Sequence, residues 1–294
     1  MSERGLVIGV DGGGTGCRAR IEDEDGRVLG SGIGGPAAVR LGIDRSMAAV
    51  EIACRAALAA AGLSGDDRSV IDAAVGLAGL GRKGALEQLM ARPHSFRSVR
   101  YVDDATIACI GAHGGRDGGI VIVGTGSIGV ALVDGREVRV GGYGFPISDE
   151  GSGADLGLEA VRLALRAGDG RAPGTAFTRE VMSRFGDDAL EAVAWMDRGT
   201  ATDYAALAPL VVRHATEGDA AAAKILRQAA ERIDELVRCL VERGAPRLAL
   251  VGGLASSLEP WLASDVRLLL SPSEGDAVDG ALALARRAAA ARRS

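Results

Sequence analysis

The chain has 294 residues, which fits one large domain or two of about 150 residues each. Its formal net charge is −5 and it has no long basic patch, so the sequence argues against a nucleic-acid partner, which would require clustered Lys and Arg. Apolar residues make up 47% of the chain and aromatic residues only 3%, and we therefore expect an aliphatic core of helices packed on a sheet.

The sequence gives little support for a membrane protein, a secreted protein or a zinc-finger protein. No apolar run approaches the roughly 18 residues of a membrane span, and the first run, Leu6 to Val10, is too short for a signal peptide. The Arg-rich end (residues 286–293) could bind a membrane or an anion, but cations there also complement the dipole of an Ala/Leu helix. We expect a soluble, cytoplasmic protein. The widely spaced cysteines argue against a structural zinc site or a disulfide framework: Cys17, Cys54, Cys109 and Cys239.

The first part of the chain alternates strands with helices. A turn at Asp25-Gly26 is a strong hairpin signal and joins the second predicted strand to the third. The predicted strands are Leu6 to Val10, Cys17 to Ile21, Arg27 to Ile33, Val70 to Leu77 and Val99 to Val102. The predicted helices are Asp44 to Ala61, Gly84 to Ala91 and Asp104 to Ala112.

The opening pattern then returns. A strand from Gly119 runs into a second glycine turn, followed by strands at Ile128 to Val133 and Glu137 to Gly141. Placing Gly14-Thr15 over Gly126-Ser127 also aligns the later residues of the two hairpins, which indicates a duplicated unit. Chance similarity between two glycine-rich hairpins is the alternative. The repeat places a domain boundary after residue 117, with the second domain at 118–282.

The rest of the chain is mostly helical. Strands that alternate with helices predict two α/β lobes. The predicted helices are about Gly151 to Ala167, Asp187 to Asp197, Tyr204 to Thr216, Asp219 to Arg243 and Ala277 to Ala291, and the predicted strands are Arg247 to Val251 and Val266 to Leu270.

The two glycine turns predict a clamp for phosphate. Glycine permits close backbone approach, and exposed N–H groups at such turns hold anionic oxygens. Asp11 would repel a bare phosphate, so it predicts Mg²⁺, bound directly or through water, between itself and a triphosphate. Neither turn is a Walker loop or a G-x-G-x-x-G fingerprint, and either one alone is compatible with ordinary hairpin geometry. The predicted phosphate-binding residues are Gly12, Gly13, Gly14, Thr15, Gly124, Thr125, Gly126 and Ser127.

Carboxylates stand at two further junctions. Asp103 fits a helix N-cap, which leaves Asp104 as a candidate general base for attack on phosphorus. Asp149 and Glu150 lie in a glycine-rich segment and could bind the hydroxyls of a polar ligand. The alternative is that Asp149 or Ser148 caps the next helix.

Five motifs in order resemble a known family. They are D-G-G-G-T (11–15), V-D-D-A (102–105), G-T-G-S (124–127), G-G-Y-G-F-P-I-S-D-E-G-S-G (141–153) and V-G-G (251–253). The set resembles the glucosamine and N-acetylglucosamine kinases, a BadF/BadG-type ATPase branch of the sugar-kinase and actin-like ATPase superfamily. The resemblance covers essentially the whole chain.

The resemblance implies a fold and a set of roles. The fold is a two-lobed actin-like ATPase fold with duplicated ribonuclease-H-like domains, and the last helix, about 283–294, packs back on the first lobe. Asp11 holds Mg²⁺ through water, and Asp104 accepts the proton of the sugar 6-hydroxyl. The implied adenosine contacts are Gly252 and Gly253, and the implied hexosamine contacts are Gly142, Tyr143, Asp149 and Glu150.

The sequence identifies the nucleotide more clearly than the sugar substrate. Where the family often carries an asparagine after G-G-P, this chain has Ala37-Ala38. The segment F-P-I-S-D-E-G-S-G (145–153) and the short chain resemble the bacterial glucosamine kinases more than their N-acetylglucosamine relatives. This resemblance implies D-glucosamine as the substrate, with N-acetylglucosamine as the alternative and an activator ATPase of a partner enzyme as a remote one. A sugar-responsive regulator would need an added helix-turn-helix, for which the first strand at residue 6 leaves no room. The sequence is compatible with a homodimer and does not decide the oligomeric state.

Overall fold

The computed structural model describes residues 5–293. Within that range the chain divides into two compact units: unit 1 runs to Gly118 and resumes at Ser273, and unit 2 is Gly119–Pro272. The chain therefore returns to unit 1 earlier than the predicted 283, because the loop before the last helix already packs on unit 1. Within the described range, no helix is long and apolar enough to cross a membrane.

A five-stranded sheet forms the centre of unit 1. Its strands are β1 (Leu6–Gly12), β2 (Cys17–Glu22), β3 (Val28–Gly34), β4 (Ile71–Leu77) and β5 (Ser98–Asp103). The order across the sheet is β3-β2-β1-β4-β5. The first three strands are antiparallel neighbours, whereas β4 and β5 run parallel to β1. Nearly every residue of β1 and every residue of β4 is buried, as expected for strands covered on both faces.

Small residues let helices approach this sheet closely. The helices of this part are α1 (Ile43–Ala60), α2 (Ala85–Met90) and α3 (Asp104–Ala112), and the 3₁₀ helices are Val39–Leu41 and Asp66–Val70. A β-carbon on Gly32 would lie 2.1 Å from the carbonyl oxygen of Ala53, so the alanine-rich face of α1 rests directly on β3. Burial of the alanines and glycines replaces the aromatic packing that the composition lacks.

A four-stranded sheet forms the centre of unit 2. Its strands are β6 (Gly118–Val123), β7 (Ser127–Val133), β8 (Arg136–Gly141) and β9 (Leu248–Val251), in the order β8-β7-β6-β9. β9 runs parallel to β6, as β4 does to β1. The strand order therefore repeats that of the first four strands of unit 1, as the duplicated hairpins predict.

Helices complete unit 2. They are α4 (Gly153–Gly168), α5 (Ala176–Ser183), α6 (Ala189–Met196), α7 (Ala201–Ala205), α8 (Ala208–Thr216), α9 (Ala220–Glu242), α10 (Ala255–Leu258) and α11 (Ser264–Arg267), with a 3₁₀ helix at Glu259–Trp261. The sequence prediction missed α5, although Thr175 forms a capping box with Thr178 at its start.

Two predicted elements of unit 2 are wrong. The strand predicted at Val266 to Leu270 is a helical turn, α11, followed by an isolated parallel bridge between Leu270 and Leu248. Leu268 is 87% exposed, so this apolar run is not buried like a central strand. The helix predicted at Tyr204 to Thr216 is divided into α7 and α8, because Pro209 stands in the first turn of α8 and lacks a backbone N–H.

The last helix, α12 (Ala277–Arg293), packs on the sheet of unit 1. A β-carbon on Gly9 of β1 would lie 2.8 Å from the backbone nitrogen of Leu282, which shows how closely the helix approaches. Ion pairs join α12 to the strands: Arg20 with Asp279, Arg286 with Glu22, and Arg292 with Asp72. The Arg-rich end thus serves helix docking at Arg286 and Arg292.

Candidate functional site

The turn between β1 and β2 is held by backbone hydrogen bonds. The N–H of Gly13 donates to the carbonyl of Gly16 at 2.8 Å, and the carbonyl of Gly12 accepts from Ala78 at 2.9 Å. Gly12 is buried, and a β-carbon there would lie 2.6 Å from a methyl group of Leu77. Gly14 and Thr15 are exposed at the tip, so the turn is fixed at its base and open to a ligand at its tip.

Asp11 stands at the end of β1, opposite Arg18 of β2 in the strand register. Its carboxylate Oδ2 accepts a hydrogen bond from Arg18 Nη2 at 2.8 Å, and the Asp11 side chain is 19% exposed. Among residues 5–293, no group of three or more His, Cys, Asp and Glu side chains could hold a metal ion. A single carboxylate still suits Mg²⁺, which keeps several waters and takes further oxygens from substrate phosphates. The donor set at Asp11 therefore fits a nucleotide-borne Mg²⁺.

Two aspartates occupy the junction of β5 and α3. Asp103 is the N-cap of α3, as predicted, and accepts from the N–H of Ala105 at 3.2 Å. Asp104 Oδ1 accepts from the same N–H at 2.9 Å. Burial raises the pKa of Asp104 to about 7, and the negative charges of Asp103 and Asp11 contribute to the shift. A carboxylate that titrates near neutral pH is suited to accept a proton in catalysis.

Asp11 and Asp104 lie at the same edge of the sheet in unit 1. Parallel pairing aligns Gly12 of β1 with Leu77 of β4, and Leu77 in turn with Asp103 of β5. The carboxyl ends of these parallel strands therefore carry the glycine turn and the aspartate pair together. This is the edge at which α/β sheets bind ligands.

The turn between β6 and β7 repeats the arrangement in unit 2. The N–H of Gly124 donates to the carbonyl of Gly126 at 2.9 Å. The first turn of α4 closes on it, because Gly153 and Ala154 donate to the carbonyls of Gly124 and Thr125 at 2.8 and 3.1 Å. Thr125 is exposed at the tip, as Gly14 and Thr15 are in the first turn.

The Ser127 hydroxyl has a hydrogen-bond partner within the protein. It donates to the backbone carbonyl of Glu150 at 2.7 Å, and the residue is only 4% exposed. The proton of this hydroxyl is thus engaged within the protein. Of the two residues with hydroxyl groups in the G-T-G-S turn, Thr125 is exposed and Ser127 is buried.

The loop from Gly141 to α4 carries the predicted sugar contacts. Asp149 has a left-handed backbone with φ of 66°, and its Oδ1 accepts from the N–H of Gly144 at 3.1 Å. Burial raises the pKa of Asp149. Tyr143 is 79% exposed, and Gly142 and Glu150 are also exposed.

The N-cap of α4 is Ser152, whose hydroxyl accepts from the N–H of Asp155. The alternative in which Asp149 or Ser148 caps this helix is therefore wrong, and the Asp149 carboxylate instead accepts a hydrogen bond within its own loop.

Gly252 and Gly253 follow β9 beside the end of β6. A β-carbon on Gly252 would lie 2.3 Å from the carbonyl oxygen of Val123, and its φ of 106° also favours glycine. A β-carbon on Gly253 would meet no atom within 4 Å, so its backbone is open. This pair thus offers an exposed strip of backbone next to the turn that begins at Gly124.

Sequence reasoning missed Arg18 and Asp276. Arg18 Nη1 donates to Asp276 Oδ2 at 3.0 Å while Nη2 holds Asp11. The hairpin register could have placed Arg18 opposite Asp11, but the contact with Asp276 depends on the return of the chain to unit 1. Ala37 and Ala38 are buried, and Ala37 donates its N–H to the carbonyl of Gly13 at 2.9 Å. Ala37 therefore supports the glycine turn between β1 and β2.

A profile of the BadF/BadG/BcrA/BcrD ATPase family matches residues 8–268 of the chain. The chain belongs to this family. It is 38% identical over 278 residues to the glucosamine kinase GspK of Vibrio cholerae, and the alignment covers 95% of each chain. It is 31% identical over 245 residues to the N-acetylmuramic acid/N-acetylglucosamine kinase of Clostridium acetobutylicum, covering 80% of this chain and 79% of that protein.

A solved structure from Chromobacterium violaceum, provisionally named an N-acetylglucosamine kinase, matches at a TM-score of 0.88 and 38% identity. The match covers 96% of this chain and 99% of that one. These findings confirm the predicted resemblance and the predicted fold, an actin-like ATPase with two ribonuclease-H-like domains. The protein is accordingly an enzyme of an ATPase and sugar-kinase family.

Proposed function

We propose that this protein is an ATP-dependent hexosamine kinase that phosphorylates the 6-hydroxyl of D-glucosamine. The observation that carries the proposal is its 38% identity, over 95% of both chains, to a glucosamine kinase. The geometry of unit 1 supports it, because the sheet edge that ends in Asp11 also presents a carboxylate, Asp104, that titrates near neutral pH.

Unit 1 supplies the groups for phosphoryl transfer. The backbone of Gly12 to Thr15 would hold phosphate oxygens, and Asp11 would hold Mg²⁺ through water. When bound, the cation offsets negative charge on the phosphate oxygens. Asp104 removes the proton of the sugar 6-hydroxyl, whose oxygen forms a bond to the γ-phosphorus. The bond from this phosphorus to the β,γ-bridging oxygen breaks, ADP leaves with the electron pair, and Asp104 keeps the proton.

Unit 2 carries the remaining predicted ligand contacts. The turn from Gly124 to Ser127 would hold phosphate through its backbone and the Thr125 hydroxyl. The exposed strip at Gly252-Gly253 would carry adenosine. The hexosamine contacts on the loop would be Gly142, Tyr143, Asp149 and Glu150. Asp149 lies against Gly126. The loop that would contact the sugar (residues 141–152, the sugar loop) and the turn that would hold phosphate (residues 124–127) are therefore positioned together.

N-acetylglucosamine is the second candidate substrate. The Clostridium acetobutylicum relative and the Chromobacterium violaceum structure favour it. We prefer the free amine because the relative named for glucosamine covers more of the chain at higher identity than the Clostridium protein.

The substrate can be assigned with a panel of sugars. ADP release is measured with Mg²⁺–ATP and glucosamine, N-acetylglucosamine, glucose or no sugar, and the sugar products are identified by mass spectrometry. We expect the highest kcat/KM for glucosamine and a product phosphorylated at the 6-position. A higher kcat/KM for N-acetylglucosamine would transfer the assignment to that sugar. ADP release that no sugar stimulates would reject the kinase proposal.

A further inference from the structure

One guanidinium joins the carboxylates of Asp11 and Asp276. Arg18 Nη2 donates to Asp11 at 2.8 Å, and Arg18 Nη1 donates to Asp276 at 3.0 Å. Asp276 Oδ1 in turn accepts from the backbone N–H groups of Val278 and Asp279 at 2.9 and 3.1 Å, at the start of α12. Arg18 therefore connects the end of β1 with the first turn of the last helix.

The helix does not depend on Arg18 for a cationic partner. Arg20, two residues along β2, pairs with Asp279 at 2.5 Å and approaches Asp276 at 3.8 Å. Arg286 and Arg292 provide further ion pairs along the same helix. Because these other contacts dock α12, the hydrogen bond from Arg18 to Asp11 is not needed to hold the helix. We therefore consider its effect on Asp11.

The guanidinium lies where a cation would approach Asp11. Its Nη2 is 2.8 Å from Oδ2, and the Asp11 side chain is only 19% exposed, so little of the carboxylate is left for solvent ions. A divalent ion that entered beside Arg18 would meet a like charge at short range. The Arg18 side chain is 52% exposed, and ion pairs of this kind are weak enough to be exchanged for other partners.

The following inference rests on the proposed function, in which Asp11 serves Mg²⁺–ATP. We propose that Arg18 is a positioning residue. Its guanidinium keeps free divalent cations away from the carboxylate of Asp11, and it leaves Asp11 when a cation arrives bound to a triphosphate. The triphosphate supplies the negative charge that the guanidinium loses on leaving Asp11, and arginine binds phosphate oxygens well. Asp276 keeps Arg18 at the site during this exchange. The metal then enters as the nucleotide complex and not before it.

The test measures Mn²⁺ binding to the full-length protein without nucleotide or sugar. Free Mn²⁺ is followed by electron paramagnetic resonance, and the affinity is compared between wild type and Arg18→Gln. We expect Arg18→Gln to bind Mn²⁺ at least about tenfold more tightly, because a unit positive charge beside the carboxylate is gone. Arg18→Lys keeps that charge and should stay within about twofold of wild type. Circular dichroism and thermal unfolding verify that both variants are folded.

A double variant locates the gain. Asp11→Asn combined with Arg18→Gln should lose the tighter Mn²⁺ binding. The proposal is overturned if Arg18→Gln binds Mn²⁺ as wild type does, if Arg18→Lys binds as tightly as Arg18→Gln, or if the double variant keeps the gain. The sugar panel is read separately: wild-type protein that phosphorylates no sugar would reject the kinase proposal, whereas the Mn²⁺ comparison would still decide the role of Arg18.

Discussion

The carboxylate of Asp149 lies against Gly126: a β-carbon added at Gly126 would be 2.4 Å from Oδ2. The contact joins the predicted phosphate turn to the predicted sugar loop within unit 2. Gly126→Ala should therefore move Asp149 away from the N–H of Gly144 and displace both ligand-binding segments. We expect kcat/KM for glucosamine to fall by at least about tenfold, as misplacement by about 1 Å costs enzymes this much or more.

A glycine with open space around it provides the matched control for Gly126. A β-carbon on Gly174 would meet no atom within 4 Å, and this residue lies outside the predicted site. Gly174→Ala should keep steady-state kinetics within about twofold of wild type. If Gly126→Ala behaves like Gly174→Ala, the contact with Asp149 does not position the ligands.

Replacement of the proposed base should separate chemistry from nucleotide binding. Asp104→Asn keeps the size of the side chain but cannot accept the proton of the 6-hydroxyl. We expect kcat to fall by about 100-fold to 10,000-fold, the usual contribution of a general base. The dissociation constant for Mg²⁺–ATP, measured by calorimetry, should change by less than about threefold. Near-normal turnover in Asp104→Asn would remove this residue from the mechanism.

The same variant should stabilise the fold at neutral and alkaline pH. The folded pKa of Asp104, about 7, lies above the value of about 3.9 expected in the unfolded chain. Ionisation of this half-buried group therefore destabilises the folded state, with no effect below pH ~4 and a full effect above pH ~7. The Tm of Asp104→Asn should exceed that of wild type by a margin that grows between these two pH values. A margin that is constant with pH would contradict the raised pKa.

The strands and the glycine turns could be predicted because their signals are local. Short apolar runs bounded by glycine define β1 to β7 to within a residue or two at most ends. The repeat of the hairpins also indicates the duplicated sheet order, since identical patterns fold alike. The placement of Asp104 at the same sheet edge as Asp11 follows once β1, β4 and β5 run parallel, because the carboxyl ends of parallel strands meet at one edge.

Long-range contacts could not be predicted in the same way. The bridge from Arg18 to Asp276 joins residues far apart in the chain, and it depends on where α12 returns to unit 1. The apolar run at Leu268 resembles a strand in sequence but is left exposed, because the sheet of unit 2 receives only a single bridge at Leu270. The hydrogen bond from the Ser127 hydroxyl could not be predicted either, because its acceptor is a backbone carbonyl in a loop that lies further along the chain.

Two hydroxyls of the second glycine turn should have different roles. Thr125 is exposed at the tip, whereas the Ser127 hydroxyl donates to the carbonyl of Glu150. Thr125→Ala should weaken binding of Mg²⁺–ATP by about 5-fold to 10-fold, equivalent to a net hydrogen bond of about 1 kcal/mol. Ser127→Ala should leave this affinity within about twofold but lower the Tm, because a carbonyl in the sugar loop loses its donor. The reverse pattern of affinities would restore Ser127 as the phosphate contact.

The pH dependence of the reaction should reflect the aspartate pair. Asp104 must be ionised to accept a proton, so kcat/KM for glucosamine should fall about tenfold per pH unit on the acid side of its pKa. That pKa is about 7 in the ligand-free protein. With Mg²⁺–ATP bound, the cation offsets the charge of Asp11, and we expect the acid limb at or below pH 7.

Asp103→Asn should move this acid limb to lower pH. The substitution removes a negative charge and a hydrogen bond that both raise the pKa of Asp104, so the ionised form becomes easier to reach. Asparagine is an N-cap as good as aspartate, and the start of α3 should stay intact, which thermal unfolding can verify. The profile is measured from pH 5 to 9 at saturating Mg²⁺–ATP. An acid limb that stays in place in folded Asp103→Asn would show that a group other than Asp104 limits the rate.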